Sequence, residues 1–210
     1  MSPYHTVWYG LTMLRKSDWI QAGLGAVADD GPNGLRVDRL CRRLGVSKGS
    51  FHHHFTGSAD FKQAVLAAYE ALVVEALDHA SNQAAADSPK AALTGLTAAI
   101  TGTEGIYRPE LEVAMRAWAF SDPEVRAIQK RVDSRRLESL QRIWSRILDD
   151  PAAVHTAALL PYLVGIGASL VQPPTSRDQL RSVYELLLGL VPEESQQTGT
   201  DGTRQDGPQH

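Results

Sequence analysis

Apolar residues recur at spacings of three and four along most of this 210-residue chain, and glycines, prolines and short polar runs interrupt them at intervals. Ile20, Gly23, Leu24 and Val27 fall on one face of a predicted helix over 17–29, with Ser17 as its N-cap and Gly31-Pro32-Asn33-Gly34 as the turn that ends it. Val37, Leu40, Cys41 and Leu44 form the apolar face of a short helix over 37–44. Phe51 and Phe55, four apart, form that of a helix over 47–55. Ser58 and Asp60 open a long helix over 59–82, striped by Phe61, Val65, Ala68, Tyr69, Leu72 and Ala76. Helices over 89–102, 109–120, 123–148, 151–171 and 176–190 follow. The breaks between them are Gly105, Pro109, Ser121-Asp122-Pro123, Asp149-Asp150-Pro151 and Gln172-Pro173-Pro174. A Ser or Asp followed by Pro places a cap and an N1 proline where a helix starts. No alternating run of β-branched residues competes, so the expected fold is all-α. Residues 1–14 read as an irregular arm and 191–210, rich in Gly, Gln, Thr, Asp and Pro, as a disordered tail.

Composition narrows this little: 43% hydrophobic and 21% charged residues place the chain in the globular class. A lone cysteine, Cys41, excludes a disulfide framework or a cysteine-based zinc site within one chain and reads as a buried, inert thiol. Residues 1–14 lack a continuous apolar core and a cleavage site, so no secretory leader is expected. The segment 152–171 is the most apolar, but His155, Thr156 and Pro161 interrupt it. It reads as a buried packing helix, with no membrane partner, and the expected location is cytoplasmic.

Charge changes the picture more. The net charge is −3, yet residues 36–55 carry Arg36, Arg39, Arg42, Arg43 and Lys48 against Asp38, a net of +4. A basic island on an acidic body implies one anion-facing surface. The island coincides with two short helices joined by Gly45-Val46-Ser47, a helix-turn-helix arrangement. If Phe51 and Phe55 pack on the preceding helices, Gly49, His52 and His53 face outward. Ser47 caps the second helix, with Lys48 and Ser50 in its first turn. Gly49 lets the backbone approach a duplex, Lys48 and Ser50 reach base edges, and His52 and His53 reach bases or phosphates. Arg36, Arg39, Arg42 and Arg43 avoid the apolar face and suit the flanking phosphates.

The string from Leu35 to Phe55, Leu-Arg-Val-Asp-Arg-Leu-Cys-Arg-Arg-Leu-Gly-Val-Ser-Lys-Gly-Ser-Phe-His-His-His-Phe, resembles the DNA-binding signature of the TetR family of bacterial transcriptional regulators. The resemblance covers about 17–70. It implies a three-helix DNA-binding domain over 15–57, with the helix at 47–55 in the major groove of a double-stranded operator. It also implies a helical regulatory domain over 58–190 that dimerises through 151–171 and 176–190 and often holds a small-molecule effector. Three positions depart from the pattern: Arg36 where the second helix usually has a Ser or Thr cap, His52 where tyrosine is usual, and Ser58 where a phosphate-contacting lysine is usual. His52 keeps an aromatic donor and adds pH dependence.

Neighbouring helical residues diverge by about 100°, so His52, His53 and His54 cannot converge on one metal ion. His54 leans toward the core beside Phe51. No metal or cofactor is expected. Tyr107, Met115, Trp118, Trp144 and Tyr162 are either core residues or the lining of an effector pocket. The mixed charges of 126–146, including Arg135, Arg136 and Glu138, read as a solvated face. Ala157, Ala158, Gly165, Gly167 and Ala168 allow close helix packing, either within the chain or between two copies, and Pro161 predicts a kink. Enzyme signatures are absent: there is no phosphate loop and no Gly-x-Ser-x-Gly elbow. The reading is a homodimeric regulator, a repressor released by an effector. A ligand-insensitive or activating regulator is the alternative, and an all-α enzyme is the distant one.

Overall fold

The computed structural model describes residues 14–84, 88–101 and 108–191. Among these the chain is helical without strands: α1 Lys16–Asp30, α2 Val37–Leu44, α3 Lys48–His54, α4 Ser58–Ala84, α5 Pro89–Thr101, α6 Pro109–Ser121, α7 Pro123–Trp144, α8 Pro151–Leu170 and α9 Arg177–Gly189. Residues 1–13 of the expected arm at 1–14, and the tail beyond Val191, lie outside the described residues. Val191 itself, assigned to the tail by its polar surroundings, is buried against α5 and α7.

Caps set most boundaries. Asp122 accepts from the Glu124 and Val125 N–H groups (3.0 and 3.3 Å) ahead of Pro123, and Asp150 accepts from Ala152 and Ala153 (3.3 and 3.1 Å) ahead of Pro151. Ser176 and Gln179 exchange side-chain bonds at the start of α9, a capping box. α1 departs from expectation: its N-cap is Arg15, because Asp18 reaches back to the Arg15 N–H at 2.7 Å, and Ser17 lies inside the helix. α7 ends at Trp144, four residues early, where the chain enters a turn.

One hydrophobic core joins the N-terminal helices to α6 and α7. Trp19, Leu24, Val27, Leu40, Phe51, Phe55, Phe61, Val65, Met115, Trp118, Val125 and Val132 all belong to it. Gly34 lets the 3-10 turn at Gly31–Leu35 close onto α1; a Cβ there would stand 2.2 Å from the Ala26 carbonyl oxygen. A smaller cluster of Ala92, Leu93, Leu96, Ile143 and Val191 ties α5, α7 and the end of the chain together.

α8 differs from its expected role as a buried helix. Only Val154, Ala158 and Ser169 are buried in it, and it is long and apolar enough to cross a membrane by length and composition. It packs one side on α6 and α7 and leaves Leu160, Leu163 and Leu170 exposed. Pro161 lies inside it, and its carbonyl accepts the Tyr184 hydroxyl of α9 at 3.1 Å.

Candidate nucleic-acid interface

α3 is fixed from within by aromatic contacts. Phe51 meets Trp19 of α1 at 5.4 Å and Phe61 of α4 at 5.5 Å, both edge to face, and Phe55 meets Phe61 at 4.9 Å. Trp19, Phe51 and Phe61 have no exposed surface, so α3 cannot rotate about its axis without opening the core. Gly45, left-handed at φ 68°, ends α2, and Val46 donates to the Cys41 carbonyl at 3.0 Å, which sets the turn into α3. Cys41 is buried and free, and burial pushes its thiol pKa up.

The outer face then follows. Ser47, Lys48, Gly49, His52 and His53 are exposed; Ser50 and His54 are half-buried. Ser47 occupies the N-cap position, but its hydroxyl makes no cap bond, and the first turn closes through Ser50 N–H to the Ser47 carbonyl at 3.1 Å. Among the described residues no three His, Cys, Asp or Glu side chains are grouped as a metal would need.

The arginines of α2 are exposed, as their spacing predicts, but most have partners. Arg43 pairs with Asp29 at 2.7 Å, Arg39 with Asp30 at 3.7 Å and Arg42 with Asp38 at 3.7 Å. Five cations of the island therefore face three carboxylates, two of them supplied by the end of α1, which the count over 36–55 does not include. Exposed pairs of this kind are worth at most about 1 kcal/mol each, so a phosphate can replace the carboxylate. At the position of the missing lysine, Ser58 is exposed. Lys62, one turn on, does not replace it, since it is held by Asp122 and Glu124 at 2.7 and 2.8 Å.

Residues 20–65 match the sequence model described as "Bacterial regulatory proteins, tetR family". The transcriptional regulator AcuR of Cereibacter sphaeroides is 38% identical over 67 residues, 32% of this chain and 31% of that protein, so this match spans about a third of AcuR. The HTH-type transcriptional regulator BetI of Burkholderia mallei is 29% identical over 182 residues, 82% of this chain and 91% of BetI. Over residues 20–65 the chain is similar to the TetR family of bacterial regulators. The likeness to DNA-binding regulators is thus concentrated in α1 to α4, and the match to BetI extends it, at lower identity, over most of the chain. The fold of this chain is shared with a regulator from Saccharomonospora viridis solved in complex with choline, at a TM-score of 0.68 and 16% identity, covering 83% of this chain and 95% of that one.

Behind the head lies a cluster that sequence reasoning placed on a solvated face. Arg136 of α7 grips Glu112 of α6 with two bonds of 2.8 Å. Arg116 bonds Glu112 at 2.7 Å, Asp133 at 2.8 and 3.1 Å, and the Tyr162 hydroxyl of α8 at 3.0 Å. The Tyr69 hydroxyl of α4 adds bonds to Glu112 and Gln129. Arg135 and Glu138 are solvated as expected, whereas Gln129 and Ser139 are buried and Arg136 is largely so. Burial raises the Glu112 pKa, but the Arg136 and Arg116 guanidiniums outweigh it and hold the carboxyl below its ordinary value. Burial also pushes the Tyr162 hydroxyl up, to about 12.

The proposed pocket residues do not share one wall. Met115 and Trp118 are together in the core beside the DNA-binding helices, Tyr162 meets them through Arg116, and Trp144 packs against the second cluster. Tyr107 lies outside the described residues. The sequence signal for the polar cluster was the Glu112–Arg116 pair, an i,i+4 charge pair inside an apolar helix that also buries Leu111, Met115 and Trp118.

Proposed function

We propose that this protein is a TetR-family regulator, a homodimeric repressor that binds an inverted-repeat operator and leaves it when a small molecule binds its helical domain. The observation that carries the reading is the pairing of two surfaces: an outward α3 with exposed Lys48, Gly49, His52 and His53, and an uncovered apolar face on α8 and α9. On α9 and just after it Leu186 and Leu190 are 74% and 75% exposed, and on α8 and just after it Leu160, Leu163 and Val171 are exposed as well. Apolar patches of this kind are covered in solution, and a second copy covers both by symmetry. A two-fold axis through α8 and α9 sends two α3 helices into successive major grooves about 34–36 Å apart. In this reading 15–57 is the head and 58–190 the regulatory domain, with α4 shared between them.

Arg36, Arg42, Ser47, Lys48, Gly49, Ser50, His52 and His53 make the DNA surface. Arg39 and Arg43 join it by exchanging Asp30 and Asp29 for phosphates. Release follows from differential binding: an effector lowers operator affinity only by its preference for a dimer whose heads are set apart differently. That the S. viridis protein of the same fold was solved in complex with choline supports a small-molecule ligand for this chain. Tyr162, Arg116 and the core residues beside them are the groups a ligand entering beneath α8 would meet. A location in the cytoplasm goes with this role.

A reporter promoter carrying the selected operator tests the reading. Co-expression lowers reporter output, and Lys48→Ala restores it. Raised output would make the protein an activator, and no change would remove the regulatory reading of this surface.

A further inference from the structure

Asp38 is the one acidic residue on the exposed surface of α2. With Val37, Leu40, Cys41 and Leu44 turned inward, a rotation of about 100° per residue puts Arg36, Arg39 and Arg43 on one flank of the helix and Asp38 and Arg42 on the other. The first flank is tied to the end of α1 through Asp29 and Asp30. The second is tied only to itself. The Arg42 Nε donates to the Asp38 carbonyl at 3.3 Å, and its guanidinium stands 3.7 Å from the Asp38 carboxylate, with the two side chains 75% and 52% exposed.

This second flank is the one beside α3. Cys41 lies at its inner edge, and its carbonyl accepts from the Val46 N–H at 3.0 Å in the turn that leads into α3. Lys48 opens α3. Asp38 and Arg42 therefore continue the outward surface made by Lys48, Gly49, His52 and His53.

An exposed i,i+4 ion pair adds only a few tenths of a kcal/mol to a helix, so stability gives Asp38 little purpose. A carboxylate facing a polyanion also weakens binding. What it can do, and the neighbouring cations cannot, is accept a hydrogen bond from an exocyclic base amine in the major groove. For an Asp side chain that amine is cytosine N4. Arg42, its guanidinium 3.7 Å from the carboxylate, biases the side chain's position and offsets its repulsion from the adjacent phosphate.

We propose that Asp38 is a specificity-determining residue that reads cytosine N4 next to the bases contacted by α3, with Arg42 as its positioning residue. The proposal rests on α3 lying in the major groove. The test is selection of bound sequences from a random duplex library by the full chain and by Asp38→Ala, with thermal melts to establish that the exposed substitution leaves the fold intact. The wild-type protein selects a C·G pair in each half-site, preferred by roughly tenfold or more. Asp38→Ala loses that preference to less than about threefold, keeps the others, and binds non-specific DNA more tightly. Asp38→Asn shifts the same position toward adenine, which an amide can grip by N6 and N7. An unchanged preference at every position, with uniformly tighter binding, overturns the proposal and leaves Asp38 an electrostatic brake. Failure of the wild-type chain to enrich any sequence overturns the groove reading beneath it as well.

Discussion

Replacing Arg136 by Met removes the guanidinium that holds Glu112 by two bonds of 2.8 Å and leaves a carboxylate that is 5% exposed with Arg116 and Tyr69 as its remaining donors. Breaking a buried pair from one side costs about 3–5 kcal/mol, mostly because the surviving charge stays buried. Arg136 keeps 19% of its side chain in contact with solvent, so the lower end, about 3 kcal/mol, is expected. At this chain length each kcal/mol is worth about 2–4 °C, which makes the shift in melting temperature roughly 6–12 °C. The pH dependence carries the sharper sign. In the wild type the Glu112 carboxyl is depressed, so its stabilisation is complete above the ordinary carboxylate range and is lost as pH falls through the lower, folded value. In the variant burial prevails and raises the carboxyl, so protonation relieves the folded state on acidification. The gap between the two proteins therefore narrows between pH 7 and pH 4.5. Urea unfolding at matched protein concentration measures it, because a dimer's stability depends on concentration. A loss under about 1 kcal/mol at pH 7, or a gap unchanged by pH, would show that Glu112 does not depend on Arg136 to stay ionised in the fold.

Gly34→Ala places a Cβ against the Ala26 carbonyl, where the 3-10 turn or α1 must shift; thermal melts should show a loss of about 1–3 kcal/mol, and an unchanged melt would show that the turn yields freely. Leu163→Glu with Leu186→Glu puts charge on the open α8–α9 face; sedimentation should show a folded monomer, and an intact dimer would move the interface elsewhere. Lys48→Ala should cost about 1–3 kcal/mol and relax preference at one base in a panel of operator variants; equal weakening on every sequence would make Lys48 a phosphate contact.

The head was legible because its spacing and its chemistry agree. Phe51 and Phe55 could be paired on one helix face from sequence alone, and that pairing turns His52 and His53 outward, as found. The Asp-Pro starts of α7 and α8 were equally plain, since a side-chain cap and an N1 proline act within three residues. What escaped depends on contacts between distant segments. Trp19 meets Phe51 across 32 positions, Arg136 meets Glu112 across 24, and the aspartates that offset Arg39 and Arg43 come from α1. Charges of both signs along α7 read as solvated because nothing local distinguishes Arg135, which faces water, from Arg136, which faces α6. α8 was placed inside because its composition is that of a core helix, and composition alone does not distinguish an apolar face that the fold buries from one that it leaves open.

Methylation interference on a selected duplex decides whether two copies of α3 lie in the major groove, because methylation at guanine N7 obstructs that groove alone. A symmetric dimer gives two clusters of interfering guanines related by a two-fold axis, with centres about one helical turn, 10–10.5 base pairs, apart, and Lys48→Ala loses them. A single cluster, or interference confined to adenine N3 in the minor groove, would contradict a dimer that reads DNA through α3.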